Sequence, residues 1–141
     1  MLKLTTILII EDNEQLLFLN MRILEDEGYA VLPAHTFGEA RRLLETHSPK
    51  AIVTDMDLPD GSGLDFCLEL RNPDSHLSVL NPKLLHVPII FLTGRNSAEE
   101  MAAGYAAGAD DYISKPYRIE RLTESLEALI KAKMPPDTNS G

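Results

Sequence analysis

Five side chains suited to phosphorus chemistry stand just past short apolar runs. Glu11 and Asp12 follow Thr6 to Ile10, Asp55 follows Ala51 to Thr54, Thr93 follows Val87 to Leu92, and Lys115 follows Tyr112 to Ser114. Three carboxylates gathered at one place repel each other, and their pKa values rise unless a cation sits among them. That cation would be a hard divalent metal. Mg²⁺, or its close substitute Mn²⁺, takes a few carboxylate oxygens, a backbone carbonyl and retained waters, and Glu11, Asp12, Asp55 and the carbonyl of Met56 suit that description. Thr93 brings a hydroxyl and Lys115 a compact positive charge, so the same rim could hold a phosphoryl group opposite the metal. Each residue alone has a plainer reading: Glu11-Asp12 as a solvated helix start, Asp55 as a turn residue, Lys115 as a surface charge. Only their joint placement points to phosphate.

The elements that must bring these residues together alternate along the chain. Thr6 to Ile10 reads as a strand, followed by a helix with Leu16, Leu19 and Ile23 at helical spacing and Leu17 and Leu24 widening the stripe. Gly28 closes that helix, and Tyr29 to Pro33 is a second strand. Thr36 caps a helix that carries Phe37, Ala40, Leu43 and Leu44 inward. Ala51 to Thr54 is the third strand, and the turn Pro59 to Gly63 leads into a helix through Leu64, Phe66, Leu68 and Leu70. Val87 to Leu92 is the fourth strand. Ser97 with Glu100 forms a capping box for an Ala-rich helix ending near Gly108. Tyr112 to Ser114 is the fifth strand, and Ile119, Leu122, Leu126 and Leu129 mark a last amphipathic helix. Such alternation predicts a parallel sheet with helices on both faces, joined by right-handed crossovers, with its site at the carboxyl ends of the strands.

The 141 residues carry 13 basic and 22 acidic side chains, a net charge of −9, and 44% are hydrophobic, which describes one globular domain able to fill a core. The basic residues form no run, so direct nucleic-acid contact is not expected. No stretch is long enough and apolar enough to suggest a membrane span. The single cysteine, Cys67, has no internal disulfide partner and reads as a small buried hydrophobe, and cysteine usage points to the cytoplasm. His35, His47, His76 and His86 show no metal-ligand spacing and read as surface or packing residues.

In order, the motifs Ile9-Ile10-Glu11-Asp12, Thr54-Asp55-Met56-Asp57-Leu58-Pro59-Asp60-Gly61, Leu92-Thr93-Gly94 and Gly108-Ala109-Asp110-Asp111-Tyr112-Ile113-Ser114-Lys115-Pro116 resemble the receiver domains of bacterial two-component response regulators. The resemblance runs from about Thr6 to Lys131. It implies a flavodoxin-like (βα)5 doubly wound fold with five parallel strands in the order 2-1-3-4-5. It implies that Asp55 accepts a phosphoryl group from a phosphohistidine, on a sensor histidine kinase or a histidine phosphotransfer protein, to form an acyl phosphate. By the same resemblance Glu11 and Asp12 bind Mg²⁺, Lys115 pairs with Asp55 and then with the phosphoryl oxygens, and Thr93 hydrogen-bonds the phosphoryl group. Gly94 keeps its entrance open, and the Lys115-Pro116 bond matches the family's cis peptide, whose turn would aim the lysine inward. Tyr112 matches the family's switch aromatic, expected to turn into the space that Thr93 vacates. The face built by the fourth helix, fifth strand and fifth helix, with Asp110, Asp111, Arg118 and Arg121, then reads as a partner or homodimer surface.

Asp57 and Arg95, each two residues past a site residue, are candidates to pair across the entrance and tune the lifetime of the acyl phosphate; the plainer reading is two exposed loop charges. Residues 1–133 are expected to form the receiver domain and 134–141 a flexible tail or the start of a linker, the chain being either a stand-alone receiver or a piece of a longer regulator. Residues 72–86 are longer than the usual connection and are expected to add a short helical turn over the third or fourth helix. On this reading the chain is no turnover enzyme, beyond taking phosphate from a donor and slowly losing it. The rival is a phosphatase of the haloacid dehalogenase class, which Val53-Thr54-Asp55-Met56-Asp57 and Leu92-Thr93-Gly94-Arg95 also resemble. It would need a cap-sized segment, and Gly-Thr where Leu58-Pro59 stands. A phosphorylation-independent interaction module on the same fold is a third alternative.

Overall fold

The computed structural model describes residues 4–94 and 97–133. Five strands, β1 (Thr6–Ile10), β2 (Ala30–Ala34), β3 (Ala51–Asp55), β4 (Ile89–Thr93) and β5 (Asp111–Ser114), form one parallel sheet in the order 2-1-3-4-5. Pro33 falls within β2, an edge strand, where a missing ladder donor is tolerated. The helices are α1 (Glu14–Asp26), α2 (Phe37–Leu44), α3 (Gly63–Arg71), α4 (Ala98–Ala106) and α5 (Ile119–Lys133). This is the doubly wound arrangement that the alternation predicts.

Because side chains alternate across a strand, each run of apolar residues feeds two cores. Leu8, Ile10, Ile52 and Phe91 pack with Phe37, Phe66 and Leu70 of α2 and α3 on one face. Ile7, Ile9, Val53 and Leu92 pack with Leu17, Leu24, Leu122 and Leu126 of α1 and α5 on the other. Glycine at 63 is required by the packing, since a Cβ there would meet the Phe91 ring at 2.7 Å and two backbone carbonyls at 3.1 Å.

Helix ends follow the sequence signals closely. Thr36 and Ser97 accept from the amides of Glu39 and Glu100, and Gly28 at φ +99° closes α1, with Tyr29 N–H donating to Leu24 and Gly28 N–H to Glu25. The phase of α1 differs from expectation. Leu17, Asn20 and Leu24 are buried, whereas Leu16 and Leu19 are 40% and 53% exposed. Apolar residues ring this helix nearly all the way round, so periodicity alone leaves its rotation open, and the packing against Ile7 and Ile9 decides it.

The extra connection between α3 and β4 is structured. It holds a short helix, His76–Leu80, and a 3₁₀ turn, Pro82–Leu85, whose Leu77 and Leu84 enter the core beside α3. Asn81 fastens it to the end of α2, its amide donating to the carbonyls of Leu44 (3.1 Å) and His47 (3.0 Å).

Candidate phosphoacceptor site

The rim at the carboxyl ends of the strands collects the predicted residues. Glu11 lies one residue past β1, 5% exposed, with its Oε2 accepting from the Asn13 amide at 3.2 Å while Asn13 itself caps α1. Asp55 ends β3; its Oδ1 accepts from the Met56 amide at 2.8 Å and its Oδ2 lies 3.2 Å from the Lys115 ammonium. The same ammonium stands 3.5 Å from Glu11 Oε1. Asp12 completes the group: one carboxylate oxygen from each of Glu11, Asp12 and Asp55 lies within 4.8 Å of the others.

The backbone explains this convergence. Asp55 pairs in register with Leu92, which places Thr93 one step further along the neighbouring strand. Thr93 is buried, and its carbonyl accepts from the Lys115 amide at 2.8 Å, so the tails of β4 and β5 stay joined beyond the sheet. The Lys115–Pro116 bond is cis. Above the rim, a Cβ placed on exposed Gly94 would meet nothing within 4 Å. Asp57 is exposed, in a small antiparallel hairpin of Asp57–Leu58 and Gly61–Ser62. Arg95, its expected partner, lies outside the described residues, as does the tail 134–141.

Burial raises the Glu11 carboxyl above its ordinary range; the Asn13 amide and Lys115 pull it down, and Asp55 and Asp12 push it up again. Lys115 shows the complementary shift: burial lowers it, but the charges of Asp55 and Glu11 outweigh burial and hold the ammonium above its usual value. The cluster therefore has more negative charge than one lysine neutralises. Its donors are all oxygen, one from each of three carboxylates, while the Met56 carbonyl accepts from the Gly63 amide at 2.6 Å and keeps a second lone pair. That set fits a hard divalent cation.

A family model described as the response regulator receiver domain matches residues 7–127. The chain belongs to that family. Response regulator MprA of Mycobacterium avium (strain 104) is 35% identical over 131 residues, covering 93% of this chain and 53% of that protein, so this chain spans about half the length of the curated relatives it matches. Among solved structures, the non-phosphorylated HemR receiver domain from Leptospira biflexa is similar at 31% identity with a TM-score of 0.75, covering 92% of this chain and 97% of that one. A response regulator from Chloroflexus aurantiacus J-10-fl is similar at 27% identity with a TM-score of 0.80, covering 92% and 99%.

The receiver domain also places residues to which the sequence assigned no partner. Asp110, expected on the partner face, is partly exposed and held in place: its Oδ2 accepts from the Ile89 amide and pairs with Arg71 at 3.0 Å, and its Oδ1 pairs with Lys133 at 3.2 Å. Arg71 is the hub, donating also to the carbonyls of Gly108 and Leu84. Asp111 is exposed to the same small extent, held by both terminal nitrogens of Arg121 at 2.9 Å and by the Ser125 hydroxyl. Tyr112 is buried edge-on to Phe91, with ring centroids 6.3 Å apart, against Gly104. Tyr117, two residues past Lys115, is close enough to feel the charges of Lys115, Glu11 and Asp55, a nearness its position after Lys115-Pro116 could have signalled. Among the described residues, no helix is long and apolar enough to cross a membrane.

Proposed function

We propose that Asp55 is the phosphoacceptor of this receiver domain, taking a phosphoryl group from a phosphohistidine on a sensor histidine kinase or a histidine phosphotransfer protein. A carboxylate oxygen of Asp55 attacks phosphorus, the P–N bond to the imidazole breaks, and its electron pair leaves with the ring nitrogen, giving an acyl phosphate. The observation that carries this reading is the Lys115 ammonium 3.2 Å from Asp55 Oδ2, within a carboxylate cluster whose charge calls for a cation.

Glu11, Asp12, Asp55 and the Met56 carbonyl would hold Mg²⁺ or Mn²⁺. When bound, the ion supplies neutralisation of the phosphoryl charge. Lys115 neutralises Asp55 before transfer and a phosphoryl oxygen after it, and Thr93 donates its hydroxyl to another. Open space at Gly94 admits the donor, and Asp57 with Arg95 sets how readily water reaches the product. Thr93 moving toward the phosphoryl group frees room for Tyr112, which passes the change to the face of α4, β5 and α5, a surface for a partner or a second copy. The domain is no turnover enzyme, works in the cytoplasm, and makes no direct contact with nucleic acid; residues 134–141 serve as tail or linker.

Incubation with Mg²⁺ and a small acyl phosphate donor tests the reading. One stable label on Asp55 by mass spectrometry, absent in Asp55→Asn, is expected. Multiple turnover of a phosphate ester, or no label on the intact domain, overturns it.

A further inference from the structure

The amino-terminal pole of the sheet, opposite the phosphoacceptor rim, carries a depression of about 270 Å³ lined by Pro49, Val87, Pro88 and Ile130 together with Lys50, Lys83, His86 and Lys133. Pro49, Val87 and Pro88 are buried residues at the mouths of β3 and β4, so the floor is apolar and rigid. Lys83 and His86 come from the extra connection between α3 and β4, which builds one wall. Lys133 is spoken for: it donates to the His86 carbonyl at 2.9 Å and pairs with Asp110. Lys50 and Lys83 are different, since both are exposed and neither forms an ion pair among the described residues. Two unneutralised ammonium groups beside an apolar floor stand out in a chain of net charge −9.

We propose that this depression binds an acidic peptide segment of a partner protein, with one apolar side chain seated on Val87 and Ile130 and carboxylates on either side meeting Lys50 and Lys83. Its size of about 270 Å³ has room for a single anchoring side chain. Its charge selects an acidic strand, because opposite potentials steer and orient such encounters while the apolar anchor supplies the burial.

The test uses the whole chain, isotopically labelled, titrated with a capped pentapeptide of one phenylalanine flanked on each side by two glutamates. Saturable amide shifts confined to residues 48–50, 83–88 and 130–133 are expected, with affinity about tenfold or more weaker in the Lys50→Glu, Lys83→Glu double variant. Asp55 labelling by the acyl phosphate donor should be unchanged in that variant, which shows that it is folded. Absent or scattered shifts overturn the proposal, as does equal binding by the double variant. Equal binding by a peptide with alanine in place of phenylalanine would reduce the site to a charge patch and overturn it too.

Discussion

At Lys115 one cation faces two carboxylates, and both contacts are partly shielded from water. Removing it leaves Asp55 and Glu11 to repel each other. Lys115→Ala is expected to lower metal-free stability by about 1–2 kcal/mol, less than the cost of breaking a fully buried pair, and to slow Asp55 labelling by about tenfold or more. Urea titration and timed mass spectrometry measure the two effects separately. Asp111 offers an acid-side test. Burial raises its carboxyl, but hydrogen bonds from Arg121, Ser125 and the Tyr112 amide outweigh burial and hold it below its ordinary value of 3.8. Its stabilising contribution is thus present above pH about 4 and is lost as pH falls through the lowered folded value. Asp111→Asn should flatten that part of the stability curve; an unchanged acid limb would show that the ion pair contributes nothing.

Individual elements test how firmly the extra connection is fixed. Asn81 satisfies the carbonyls of Leu44 and His47 from a nearly buried position, so Asn81→Ala is expected to cost about 1–3 kcal/mol. Its labelling rate should match the parent, because the connection lies at the far pole from Asp55. Gly108, at φ +109°, is set against Arg71, whose Cγ would stand 2.7 Å from a Cβ there. Gly108→Ala should destabilise by about 1–3 kcal/mol through strained backbone and the displaced guanidinium, measurable by the same titration. The elements were legible where local chemistry specifies them, as at the Thr36 and Ser97 caps and the Gly28 stop. They were not legible where tertiary packing chooses among equals. In α1 the apolar residues at 16, 17, 19, 23 and 24 satisfy more than one helical phase, and only the sheet beneath selects Leu17 and Leu24. Asp110 is a similar case: nothing local distinguishes it from Asp111, and only the folded chain gives Asp110 to Arg71 and Lys133 and Asp111 to Arg121.

For the molecule as a whole, crowded negative charge at one rim couples metal binding to folding. Adding Mg²⁺ should raise the melting temperature, the stabilisation reaching about 2.7 kcal/mol at a concentration one hundred times Kd, and chelation should reverse it. Asp55→Asn, with one carboxylate fewer, should respond less in the same thermal scan. The topology and the meeting of Glu11, Asp12, Asp55 and Lys115 were readable because the βα alternation forces every strand to end at the same edge. The depression at the other edge was not, because its walls come from two separate connections and the last turns of α5, with no shared motif.

That uniform strand direction has a consequence for traffic around the protein. β1, β3 and β4 each run five residues, so the two edges stand about 16 Å apart with the packed sheet between them. On the two proposals above, a phosphoryl donor at one end and an acidic peptide at the other would meet different surfaces, so that charging and tethering would not compete for one patch.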